Sequence, residues 1–251
     1  MASQRTRRTN KRDKRQQRSG GIAANVNVVP PKFGFTHAIK PITGNQEYAF
    51  ESWNQGFNLM LHGIAGTGKT YLGLYFSLSE VMKRNSPHKK VYIIRSTVPT
   101  RDQGFMPGTQ KQKEAVYEEA YVEVANELMG RGDAYQILKQ RGLIEFRSTS
   151  FLRGLTLSNC IIVVDEVQNM SDGELHTIMT RVGTDCKIIF CGDVKQDDLT
   201  NERKKEVSGL RKFMRVIDTM EEFDFIEFFA EDIVRSDLVR SYIIARDRLG
   251  L

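Results

Sequence analysis

The chain is short of cysteine, proline and tryptophan, with three, six and one of them in 251 residues. Cys160, Cys186 and Cys191 are too few and too irregularly spaced for a disulfide framework or a closed zinc site, which points to a reducing compartment, the cytoplasm. Their simplest role is as small apolar residues in strands. Long apolar runs are missing too. The longest, about five residues at Cys160–Val164, falls far short of the roughly 20 that a membrane helix needs, and no membrane partner is expected. No stretch of about 20–50 residues repeats, which argues against solenoids and propellers. What is present, 40% hydrophobic and 27% charged residues, is the composition of an ordinary folded domain.

Positive charge is concentrated at one end. Residues 1–18 hold eight lysines and arginines against one acid, Asp13, so this segment is +7 and the rest of the chain is −1 within a net charge of +6. Almost nothing apolar accompanies those charges, so residues 1–20 are expected to be a disordered basic tail. The missing apolar run excludes a secretory signal, and the missing apolar face excludes an amphipathic transit helix. Two readings stay open. The tail is an arm that neutralises nucleic-acid phosphates, or it is a solubilising terminus.

Residues 21–39, with Pro30–Pro31, read as a linker, and residues 40–251 as the folded domain. There, short apolar runs alternate with longer amphipathic ones, the pattern of a parallel sheet with crossover helices. Strands are expected at Leu59–His62, Val91–Arg95, Leu143–Arg147, Ile161–Asp165, Lys187–Cys191 and Phe223–Phe229. Helices are expected from Lys69, near Lys111, from Ser171, near Ser208 and from Glu231, and Ser171 with Glu174 forms a capping box.

Three motifs carry chemistry. The first is Gly63-Ile64-Ala65-Gly66-Thr67-Gly68-Lys69-Thr70, a complete G-x-x-x-x-G-K-[ST] phosphate loop between an apolar strand and a helix. Its glycines let the backbone aim N–H groups at phosphates, Lys69 adds charge on the β- and γ-phosphates, and Thr70 offers a hydroxyl to Mg²⁺. The second is Ile161-Ile162-Val163-Val164-Asp165-Glu166, a doubly buried strand ending in two acids. At the carboxyl end of a parallel strand, Asp165 is placed to hold Mg²⁺ and Glu166 to orient or deprotonate the attacking water. The third is Gly192-Asp193-Val194-Lys195-Gln196. If its strand lies between the other two, Gln196 can reach the γ-phosphate.

In this order the motifs resemble motifs I, II and III of superfamily 1 helicases. More narrowly, the chain resembles the PhoH-like ATPases over about residues 40–245. Further matching pieces are Gly104-Phe105-Met106-Pro107-Gly108, Phe151-Leu152-Arg153-Gly154, Leu175–Gly183 and Asp232-Ile233-Val234-Arg235. The resemblance implies an α/β P-loop NTPase fold, a RecA-like three-layer sandwich with a mostly parallel central sheet. It implies ATP and Mg²⁺ as cofactors, Gln196 as a γ-phosphate sensor and Arg235 as an arginine finger. Gln46 matches a glutamine that reads adenine in related ATPases, although a surface glutamine at a helix start fits equally well. RNA or single-stranded DNA is the implied partner, and a homo-oligomer, up to a hexamer, the implied working unit. A compact core with a basic tail would suit a phage member. Since one RecA-like domain leaves its nucleotide open on one side, Arg235 is expected to serve a neighbour's site. Two departures, Ser96-Thr97 after Arg95 and Leu155 after Gly154, fall in stretches suited to nucleic-acid contact. The function expected is Mg²⁺-dependent ATP hydrolysis with helicase-like motifs. The alternatives are a small-molecule P-loop kinase and an ATP-switched nucleic-acid-binding module with negligible turnover.

Overall fold

A computed structural model describes residues 33–97, 110–152, 154–193 and 209–249. The basic tail, the Gly104–Gly108 turn, Arg153 and Gln196 lie outside the described residues. Six strands form one parallel sheet: β1 (Asn58–Gly63), β2 (Lys90–Arg95), β3 (Ile144–Ser148), β4 (Cys160–Asp165), β5 (Cys186–Gly192) and β6 (Phe223–Phe228). Their order is β3-β2-β4-β5-β1-β6, so one strand, β5, stands between the phosphate-loop strand and the acidic strand. All six expected strands are present, within a residue or two at each end.

The pattern follows from burial. β4 is buried at all six positions, as its β-branched run requires, and its neighbours β2 and β5 contribute Ile93, Ile94, Ile189 and Phe190 to the same interior. On one face Phe190 packs edge-on against Phe213, with ring centroids 4.8 Å apart, and lies beside Phe223. Phe223 belongs to β6, in keeping with a sheet strand there.

Seven helices are described: α1 (Gly44–Gln55), α2 (Lys69–Val81), α3 (Gln110–Met129), α4 (Ala134–Gln140), α5 (Asp172–Met179), α6 (Leu210–Ile217) and α7 (Asp237–Arg248). No helix among the described residues is long and apolar enough to cross a membrane. α5 opens with the expected capping box, Ser171 and Glu174 each bonding the other's backbone N–H. The described end of the linker packs on the domain. Thr36 N–H donates to the Leu128 carbonyl at 3.3 Å, and the Phe35 ring meets Tyr75 edge-on.

The last helix departs from expectation. It begins at Asp237 and not at Glu231; Ala230–Asp232 makes only a short 3₁₀ turn. The reason is a set of competing bonds. The Asp232 carboxylate accepts the Phe229 N–H at 2.9 Å and the Asn45 side-chain amide at 2.7 Å. The chain then runs extended through Ile233, and Val234 N–H donates to the Gly66 carbonyl at 3.0 Å. Helix propensity yields to these distant partners. Two further helices were not among those expected: α1, whose start was weighed only as a setting for Gln46 and whose apolar face is weak, and α4, which spans seven residues.

Candidate active site

The carboxyl ends of β1, β4 and β5 open on one cavity of about 830 Å³, lined by the phosphate loop, Gln46, Asp165, Glu166, Gln168, Asp193 and Arg235 among others. The loop follows β1 because Gly63 takes a positive φ of 115°. A side chain there would collide with the Phe228 backbone of β6, so only glycine permits the turn beside that strand. Lys69 folds over the loop, and its ammonium donates to the Gly63 and Ile64 carbonyls at 2.8 and 2.7 Å. The fully buried Thr67 hydroxyl donates to the same Ile64 carbonyl. Burial pulls the Lys69 amine below its usual pKa, against the opposing pull of Asp193, Cys191, Asp165 and Glu166.

Asp165 uses both carboxylate oxygens. Thr70 Oγ1 donates to one at 2.8 Å, and the buried phenol of Tyr121, from α3, donates to the other at 2.9 Å. Burial, then the charge of Asp165, drives the Tyr121 phenol well above its ordinary pKa and keeps it a donor. Arg95 pairs with Asp165 in the strand register, and its guanidinium lies 5.3 Å from the centre of the Tyr117 ring. Burial alone would lower the pKa of Arg95, but Tyr121, Glu166 and Asp165 together raise it.

Glu166 sits in the left-handed region at φ 55°, a strained backbone for a residue with a Cβ. Its carboxyl is pushed above the usual range, first by burial and then by Asp165, while Arg95, Gln168 and Lys69 oppose the shift. Gln168 fixes it: Nε2 donates to Glu166 at 2.6 Å, and Oε1 accepts the Asp193 backbone N–H at 3.1 Å. One buried amide therefore ties the acidic motif to the segment after β5. Gly192 makes room for this link, since a Cβ there would strike Val167 and come within 2.9 Å of Gln168 Oε1.

Gln46 stands in the first turn of α1 but is not a surface residue; it is 4% exposed. Its Oε1 accepts the Ile42 N–H at 2.9 Å, and its Nε2 donates to the Thr67 carbonyl at 3.3 Å. The side chain buttresses the phosphate loop. Arg235 lines the cavity of its own chain, and its Cγ lies close to Gly66. Lys69, Thr70, Asp165, Glu166, Gln46 and Arg235 thus converge, and the strand order required for Gln196 is present. Sequence reasoning missed Tyr121 and the bridging role of Gln168. Gln168 was within reach, being two residues beyond Glu166 in the same motif, whereas Tyr121 looks like any core aromatic on a long helix.

The loop, the acidic strand and the interposed β5 define a nucleotide-binding P-loop NTPase with a RecA-like core. Residues 38–246 match the family described as PhoH-like protein, and the chain belongs to it. It is 32% identical over 187 residues to a PhoH-like protein of Bacillus subtilis, covering 74% of this chain and 57% of that protein. A PhoH-like protein of Synechocystis is 32% identical over 196 residues, covering 74% and 55%. The chain therefore spans little more than half the length of these relatives. Among solved structures, the Pif1 helicase of Candida albicans aligns at 16% identity and a TM-score of 0.42, covering 84% of this chain and 44% of that one. A large terminase of a thermophilic bacteriophage aligns at 12% identity and a TM-score of 0.46, covering 81% and 50%.

Proposed function

We propose that this chain is a Mg²⁺-dependent ATP hydrolase that works with RNA or single-stranded DNA as an oligomeric ring. The observation that supports it most is the constellation at the end of β4. Thr70 and Asp165 share a hydrogen bond, Glu166 is locked by Gln168, and Lys69 faces both from the loop. The donor set fits the metal. A hydroxyl and one carboxylate are hard oxygen ligands, and among the described residues no group of three or more His, Cys, Asp and Glu side chains forms a metal site of its own. Mg²⁺ suits such a site because it keeps waters and takes substrate phosphates as ligands. When bound, it would neutralise charge on the phosphates.

The protein's own groups supply the rest. Lys69 exchanges its loop carbonyls for the β- and γ-phosphate oxygens. Glu166, whose raised pKa brings its basicity closer to working pH, takes a proton from a water. That water's oxygen bonds to the γ-phosphorus as the bond to the bridging oxygen breaks, leaving ADP and phosphate. Gln46 holds the loop in shape, and Arg235, close to its own Gly66, serves the nucleotide of its own chain. The nucleic-acid partner is supported by the +7 charge of residues 1–18. The test is phosphate release from ATP with poly-RNA, with single-stranded DNA and without polymer. Release without any acceptor, stimulated by a polymer, is expected. No release in any arm would refute the hydrolase reading, and release that ignores both polymers would refute the partner.

A further inference from the structure

α7 has no buried residue. Leu238, Tyr242 and Leu249 are 81%, 63% and 72% exposed, and Ala245 between them is exposed as well. Their spacing of four, three and four residues puts all of them on one stripe of the helix, the arrangement of a helix–helix seam. Ile243, on the other side of α7, lies near Gly66. The stripe therefore faces away from the phosphate loop of its own chain. Arg246 and Arg248 flank it, one on each side.

A second exposed helix face has the opposite charge. α3 buries Tyr121, Ala125, Leu128 and Met129. Its other side presents Val116, 64% exposed, with Ala120 and the exposed carboxylates Glu119, Glu123 and Glu127. Glu123 and Glu127 also line the nucleotide cavity. The two helices belong to opposite ends of the sheet. α3 leads towards the edge strand β3, and α7 follows the edge strand β6.

We propose that α7 of one chain docks on the exposed face of α3 of a second copy. Charge selects this occupant. A parallel pair of α7 helices would set arginine against arginine along the seam, whereas α3 offers three carboxylates beside an apolar patch. The contact joins two different surfaces, so, unless two copies exchange it reciprocally, it is heterologous and propagates into a ring or a filament. A 12-residue helix is only about 18 Å long. One such contact is smaller than a stable interface of roughly 800 Å² per partner, so association depends on protein concentration. The docked helix covers the acidic rim of the next chain's cavity. The proposal rests on the oligomeric part of the function above and gives it a surface.

Sedimentation velocity of the full chain over a range of concentrations, without nucleotide, tests the contact independently of turnover. Wild type is expected to self-associate. The double variant Leu238→Asp/Tyr242→Asp is expected to stay monomeric. Glu119→Arg and Arg248→Glu should each weaken association roughly tenfold, and the two combined in one chain should recover much of it. All four positions are exposed, and thermal melts followed by circular dichroism confirm that the variants fold. A wild type that stays monomeric at every concentration overturns the proposal, as do α7 variants that associate like wild type. Association that α7 variants abolish but Glu119→Arg leaves untouched overturns it as well, because α7 then meets another surface.

Discussion

The two ends of the sheet treat buried ionisable groups differently. At the carboxyl end, Lys69, Asp165, Glu166 and Arg95 face one another: the two acids oppose the effect of burial on Lys69 and Arg95, and the two bases oppose it on Glu166. At the amino end the groups meet in isolated pairs. Lys187 lies 3.4 Å from the centre of the Trp53 ring and donates to the Trp53 carbonyl at 3.1 Å. Burial brings its amine down to about 8, with Glu80 only partly offsetting it. Cys160 and Cys186, paired in register, bring their sulfurs to 3.4 Å, and burial raises the Cys160 thiol. Where opposite charges confront each other, removing one changes the protonation and position of the rest. Where a group stands nearly alone, removing it has a local effect.

Breaking the carboxyl-end network should give the largest effects. Arg235→Ala is expected to slow hydrolysis by roughly 10³-fold or more, the size of an arginine-finger contribution. Because Arg235 lies beside its own Gly66, mixing this variant with Glu166→Gln under demonstrated subunit exchange should restore nothing. Recovered activity would move the guanidinium to a neighbour's site. Glu166→Gln should lose about 10²–10⁴-fold in single-turnover hydrolysis while still binding nucleotide. The wild-type rate should fall on the acid side at a higher pH than an ordinary carboxylate would give, since the Glu166 pKa is raised and its base form is lost as pH drops through it. A pH–rate profile of the two proteins checks both statements.

Tyr121→Phe is a finer cut. It removes one of two hydrogen bonds to a buried carboxylate and leaves an acceptor unpaired, a penalty of about 1–3 kcal/mol. Denaturant unfolding should show that loss. Half-saturation of turnover by Mg²⁺ should shift as Asp165 loses its support. An unchanged metal dependence would limit Tyr121 to packing.

The smallest effect is expected at the other end. The folded-state pKa of Lys187, about 8, is below the usual 10.5, so the unfolded chain binds more protons between those values. The stability of wild type relative to Lys187→Met should therefore rise with pH across that window, and below it Lys187 should be the less stable choice. Turnover should be unaffected. The Trp53 ring favours the charged amine and makes the slope shallower. Thermal melts at several pH values measure it, and equal slopes in the two proteins would show that the amine is not desolvated.

The legible parts were those that a local pattern fixes. β4 is a run of β-branched residues with one possible role, the phosphate loop is a contiguous motif, and the Ser171 cap needs only four residues. The strand order put β5 where the third motif required it. What escaped depends on partners far along the chain. Tyr121 gains its role from an acid 44 positions later, and Gln46 from a carbonyl 21 positions later. The start of α7 was misplaced because Asp232 answers to Asn45, across 187 residues. The α3 and α7 faces were not read as surfaces at all, since exposure is a property of the packed molecule.

The bond from Val234 to Gly66, together with the seat of β6 against Gly63, has a consequence for synthesis. The phosphate loop leaves the ribosome well before two of its supports, Phe228 and Val234, which are added more than 150 residues later. At roughly 5–20 residues per second, the nascent chain carries an unsupported loop for about ten to thirty seconds. Nucleotide affinity is therefore acquired only once β6 closes on β1.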